Sequence, residues 1–129
     1  MFILASASPR RRDLLVQIGR APDVIIPPDV DEHARPRELP RDHALRLACD
    51  KAEAIAARAE AAGAFVLAAD TVVACGRRIL PKAEDAGTAE RCLSLLSGRR
   101  HRVHGGVCII APDGARVTRI VTTIVTFKR

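Results

Sequence analysis

The run Ser6-Ala7-Ser8-Pro9-Arg10-Arg11-Arg12 puts two hydroxyls, a proline and three guanidinium groups directly after a short apolar stretch, Ile3-Leu4-Ala5. Ser8 suits a helix N-cap, where its hydroxyl accepts from a free amide one turn on. Pro9 suits the first helical position, where a missing N–H costs nothing. Such a start presents unpaired amides and the positive end of the helix dipole. Arginines gathered there are unfavourable unless an anion is to be bound, and phosphate fits best. With about 100° per residue, Leu14, Leu15 and Ile18 form the stripe expected to be buried. Arg11 then projects between Leu14 and Leu15, Arg10 lies just off one edge, and Arg12 points to solvent. The competing reading is a well-capped basic helix start with no ligand.

Asp70 is the second candidate. It ends the apolar run Phe65-Val66-Leu67-Ala68-Ala69, where a carboxylate is costly unless it meets solvent or a partner. Carboxylates at strand ends hold metals or activate water; the alternative is an acid that caps a turn with Thr71. Lys82 lies in a loop near Asp85. Lys51 flanks the apolar stripe of a long helix, where it could run harmlessly along the core. Glu32 sits among Asp29, Asp31 and His33, and by itself reads equally as one more solvated acid. His33, His43, His101 and His104 show no metal-ligand spacing, and Arg99-Arg100-His101-Arg102 is a basic patch at a strand edge.

The elements that must position these residues follow from periodicity and punctuation. Phe2–Ala5 reads as a buried strand, Pro9–Ile18 as a helix stopped by Gly19, and Val24–Ile26 as a short strand before Pro27-Pro28. The polar stretch 29–40 reads as a loop. Leu45, Ala48, Ala52, Ile55, Ala59 and Ala62 recur at helical spacing, predicting a helix over about 41–62 that Gly63 ends. Phe65–Ala69 and Val72–Cys75 read as strand runs separated by Asp70-Thr71. A second amphipathic helix is expected over 86–96. Val103–Ala111 and Val117–Phe127 are β-rich and joined at Pro112-Asp113-Gly114. Strands alternating with helices indicate one α/β domain, residues 1–129, with a mixed sheet.

Composition narrows the partners. A chain of 129 residues with 48% hydrophobic and 28% charged residues is a globular balance. The net charge of +6 favours a polyanionic ligand. With no Trp or Tyr and three Phe, the chain lacks the aromatic platforms of single-strand nucleic-acid binding. Cys49, Cys75, Cys92 and Cys108 form no C-x-x-C pair, so reduced cysteines rather than a zinc site are expected. No segment has the roughly 18 apolar residues of a membrane span, and the N-terminus lacks a signal-peptide pattern. A cytoplasmic location is the default expectation.

Taken together, Ser6-Ala7-Ser8-Pro9-Arg10-Arg11, Val30-Asp31-Glu32, Arg46-Leu47-Ala48 ahead of Lys51-Ala52, Ala69-Asp70-Thr71-Val72-Val73, Lys82 with Asp85, and Leu96-Ser97-Gly98 ahead of His101 resemble the Maf family. The resemblance spans essentially the whole chain, with the motifs in the family's order. It implies a twisted mixed-sheet α/β fold with flanking helices and a cleft between two lobes, similar to the inosine-triphosphate pyrophosphatases (the Maf/Ham fold). It also implies a house-cleaning nucleoside triphosphate pyrophosphatase that cleaves between the α and β phosphates, with Mg²⁺ or Mn²⁺ as cofactor. By motif position, Ser8, Arg10, Arg11, Lys51 and Lys82 would hold the triphosphate, and Glu32 and Asp70 would serve metal and water. Asp70 is the choice for water-activating base, with a purely metal-binding role as the alternative. Asp70-Thr71 resembles the branch acting on dTTP and UTP, which gives Thr71 a substrate-binding role.

Two features depart from the family pattern: Gly105 replaces a usual Thr or Ser, and Pro81 and Ala83 flank Lys82 differently. Family members also continue past the strand at Val117–Phe127, so the chain is expected to be a C-terminally shortened member. Apolar surface left there could be covered by a second copy, giving a homodimer. Two other functions follow as alternatives: a shortened relative that binds nucleotide weakly or is inactive, and a basic nucleic-acid-binding protein.

Overall fold

Alternation of side chains along extended segments builds the centre of the molecule. The structure, a computed structural model, describes residues 1–80 and 100–126. Six strands form one mixed sheet: β1 (Phe2–Leu4), β2 (Val24–Ile25), β3 (Phe65–Cys75), β4 (Arg78–Ile79), β5 (Arg100–Ile110) and β6 (Arg116–Thr126). The order is β2-β1-β3-β5-β6, with β4 paired to β3. β1 runs parallel to both β2 and β3, whereas β3, β5 and β6 are successively antiparallel. Two helices, α1 (Pro9–Gln17) and α2 (Pro40–Ala56), complete the described α/β architecture. The expected mixed sheet is borne out; the helix predicted over 86–96 and Lys82 lie outside the described residues.

The core lies between α2 and one face of the sheet. Ala44, Leu47, Ala48, Lys51, Ala52 and Ile55 form the buried stripe of α2. They meet Val66, Ala68, Asp70, Val72 and Ala74 on β3 and Cys108 and Ile110 on β5. The stripe's alanines let the helix lie close to the sheet. Gly106 lets it lie closer still: a Cβ there would stand 2.6 Å from the Ala44 carbonyl oxygen and 2.9 Å from the Leu45 Cα. Both are helix backbone atoms, so nothing can rotate away. Burial pushes the Cys108 thiol up to about 12, as expected of a reduced core cysteine. Cys49, Cys75 and Cys108 are all free thiols.

Four local expectations are corrected. First, β3 is one continuous strand, so Asp70 lies within it rather than at its end. Asp70 falls in phase with the alternating buried residues, and Gly106 is its partner on β5. Second, α2 ends at Ala56 and a single 3-10 turn, Ala59–Ala61, replaces its last predicted turn. Alanines beyond Ile55 offer few atoms to anchor a helix, and the tighter path puts Ala61 and Ala64 in the core instead. Third, α1 has no buried residue: Leu14 and Ile18 are exposed and Leu15 is half-buried. Its apolar side borders an open hollow of about 710 Å³ with Phe2, Phe65, Leu67 and Ile109, and does not fill it. Fourth, the Ser8 hydroxyl makes no cap. On the face of the sheet opposite α2, Phe65, Ile109, Val117 and Val121 are all exposed.

Gly106→Ala is expected to lower stability by about 1–3 kcal/mol through overpacking against α2. Urea denaturation should show a lower midpoint with an unchanged slope.

Candidate functional site

The site forms where β1 stops and its neighbour does not. β1 ends at Leu4, opposite Leu67, and β3 continues through Asp70 three residues further on. The chain turns from β1 through Ser6-Ala7-Ser8 into α1, which opens space beside the middle of β3. Such gaps beyond the carboxyl ends of parallel strands are the usual binding places of α/β sheets. Here the gap is a cavity of about 280 Å³ lined by Ser6, Ala7, Ser8, Arg11, Pro28, Glu32 and Lys51.

Lys51 is the centre of the arrangement. Its side chain is only 10% exposed, so its ammonium needs partners. It donates to Asp70 Oδ1 at 2.8 Å and to Glu32 Oε1 at 3.1 Å. It therefore does not run along the core to solvent, as its position beside the stripe allowed; it turns inward and joins two carboxylates. The Asp70 side chain is 3% exposed and the Glu32 side chain 49%, so one acid is fixed in the sheet and the other faces the cavity.

At the start of α1, Pro9 takes the first helical position as predicted. Ser6, which the sequence reading left without a role, replaces Ser8 as the local organiser. Buried Ser6 Oγ accepts the Ser8 amide at 3.0 Å and Arg11 Nη1 at 3.4 Å. This aims Arg11 into the cavity, with Ser8 on its wall. Arg12 instead pairs on the surface with Asp13, in keeping with a solvated neighbour. Arg10 is exposed and outside the lining, at the rim of the helix start. Thr71 is exposed on the opposite face of the sheet from Asp70, so the structure does not bring it to this cavity.

The loop bearing Glu32 is held by side chains the sequence reading did not single out as functional. Asp31 Oδ1 accepts the His33 amide at 3.0 Å, and this bond lowers its pKa. Glu38, buried beside α2, accepts from Arg46 Nε at 2.6 Å and Arg46 Nη2 at 2.9 Å. His43 Nδ1 lies 2.8 Å from Glu38 Oε1. The Arg46 bonds hold the Glu38 carboxyl down to about 2, against burial. The signal was present in Arg46 and Asp50, a helical i, i+4 pair at 3.0 Å.

Two oxygen donors converging on one cation suit a hard divalent ion that also takes phosphate oxygens and water. Among the described residues no cluster of three or more His, Cys, Asp or Glu could hold a metal by itself. Asp70 and Glu32 therefore supply two of the oxygen ligands a divalent ion takes, and the remainder would have to come from outside the described side chains. No described helix is long and apolar enough to cross a membrane.

Known proteins resemble this chain in sequence and in fold. The family profile described as Maf-like protein matches residues 1–129. The dTTP/UTP pyrophosphatase of Paramagnetospirillum magneticum is 65% identical over 129 residues, covering 100% of this chain and 67% of that protein. The dTTP/UTP pyrophosphatase of Caulobacter vibrioides is 61% identical, covering 99% of this chain and 65% of its own length. That of Rhodospirillum rubrum is 58% identical, with 99% of this chain matched to 60% of its length. The chain thus spans about two thirds or less of these relatives. Among solved structures, the Staphylococcus aureus Ham1 protein superposes with a TM-score of 0.61 at 18% identity, covering 95% of this chain and 69% of its own. A dITP/XTP pyrophosphatase from Mycobacterium abscessus gives 0.54 at 17% identity, covering 97% of this chain and 73% of its own. These two likenesses are likenesses of fold.

Glu38 contributes stability that is full above its ordinary value of 4.5 and is lost as pH falls from there toward about 2. Thermal unfolding of wild type and Glu38→Gln should differ most at neutral pH, with the gap closing through that acid window.

Proposed function

The chain belongs to the Maf family, and from that premise we propose that it is a nucleoside triphosphate pyrophosphatase acting on dTTP and UTP. The reaction adds water to the α-phosphorus, breaks its bond to the bridging oxygen, and yields a monophosphate and pyrophosphate. The observation that carries this reading is the Lys51 ammonium held between Asp70 and Glu32 on the wall of a cavity that begins at a helix N-terminus. Phosphoryl chemistry needs positioned charge more than covalent help, and this site concentrates charge of both signs.

In this reading Glu32 and Asp70 would hold a divalent cation, Mg²⁺ or Mn²⁺. When bound, that ion neutralises charge on the phosphate oxygens. Arg11, aimed by Ser6, and Ser8 with the first free amides of α1 receive the triphosphate, and Arg10 extends the positive rim. Lys51 keeps the two carboxylates together and offers donors to a phosphate. Asp70 takes the proton from the attacking water; its fixed place in β3 suits a base whose distance to the phosphorus must not vary. A phosphate-binding role for Lys82 completes the set from the family motif. Thr71, on the far face, has no part in this cavity. A cytoplasmic, house-cleaning role and a homodimer fit the same reading.

Pyrophosphate release from dTTP and UTP with Mn²⁺ is expected to fall about 10²-fold or more in Asp70→Asn. Equal turnover by that variant, or no release from any nucleoside triphosphate by folded wild type, would remove the assignment.

A further inference from the structure

Glu32 lies on an irregular loop, and its carboxylate meets Lys51 across 19 residues of sequence. Something must hold that loop. Arg46 reaches it at two points. Its Nη2 donates to the His33 carbonyl at 3.0 Å, the residue next to Glu32, and its fork grips Glu38 near the loop's end. Nη1 is fixed from the other side by Asp50 at 3.0 Å. Side-chain exposures of 15% for Arg46 and 9% for Glu38 make this a packed latch, unlike a mobile surface pair.

The loop's backbone agrees. Glu38 N donates to the Arg35 carbonyl at 3.0 Å, and the Arg35 amide donates back to Glu38 Oε1 at 3.1 Å. Between them, after Pro36, Arg37 adopts a φ of 62°. A side chain with a Cβ disfavours that conformation, so the turn is retained because Glu38 is anchored. We propose that Arg46 is a positioning residue. Through the His33 carbonyl and Glu38 it sets the loop so that Glu32 stands opposite Lys51 and Asp70. The metal-binding consequence rests on the function proposed above; the positioning itself does not.

Arg46→Lys keeps the charge and removes the planar fork. Hydrogen exchange on the full chain should quicken about tenfold or more over residues 30–38 in this variant, while α2 amides near Ile55 keep their protection. Titration with Mn²⁺ at a saturating concentration of a dUTP analogue that cannot be cleaved should show affinity about 10- to 100-fold weaker, as for other residues that orient metal ligands. In a Glu32→Gln background the same change should alter Mn²⁺ affinity less than about twofold, because the carboxylate it positions is gone. Glu38→Gln provides a second, milder break of the latch and should give the same loop-limited exchange. Unchanged exchange over 30–38 in both folded variants, or equal loss of Mn²⁺ affinity in both Glu32 backgrounds, would overturn the proposal. If wild type binds no Mn²⁺, the metal reading of the site falls, and the exchange comparison alone decides whether Arg46 sets the loop.

Discussion

A buried ammonium between two carboxylates is the interaction around which the rest is arranged. Taking Lys51 out of water costs several kcal/mol unless its partners are close and well placed. Its bonds to Asp70 and Glu32 meet that demand only if three separate pieces of chain converge. α2 must lie near enough to the sheet for Lys51 to reach β3, β1 must end early enough to leave the gap, and the loop after β2 must return Glu32. Each requirement has a visible cause: the alanine stripe with Gly106, the turn at Ser6–Ser8, and the Arg46–Glu38 latch.

In the proposed function, the same trio accounts for how a site for a polyanion would rest beside carboxylates. Two acids at the base of a phosphate site would repel the ligand if left unopposed. Lys51 offsets them from within the wall, and Arg11 adds positive charge at the cavity's other side. Positive charge thus lies at the helix start, with Asp70 buried in the sheet and Glu32 facing the cavity. The chain's overall charge of +6 favours approach of an anion but by itself does not locate a site.

Much of this was legible in the residues. Pro9 begins α1, the alanine-rich stripe packs α2, and the antiparallel β5 and β6 follow the pattern closely. Asp70 was singled out because a carboxylate beside an apolar run needs a reason, though its polar Asp-Thr pair disguised one unbroken strand. Period-two alternation through Val66, Ala68, Asp70, Val72 and Ala74 was the better guide. Lys51 looked interchangeable with any lysine at the flank of a stripe, since only the tertiary fold brings it to Asp70 and Glu32. The Glu38–Arg46 latch was hidden for the same reason: its partners are joined across a loop, and no local rule links them. The exposure of α1 was unforeseen, because a helical stripe states which face is apolar and not whether anything covers it.

In the proposed function, the Lys51–Asp70–Glu32 cluster and the start of α1 are one triphosphate and metal site. The most direct measurement is a crystal structure with Mn²⁺ and a dUTP analogue that cannot be cleaved between the α and β phosphates, read from the manganese anomalous signal. The account predicts a single strong peak against Asp70 and Glu32, with the phosphates on Ser8, Arg11 and the free amides of α1. Manganese and nucleotide bound elsewhere, with Lys51 still bridging an empty pair of carboxylates, would contradict it.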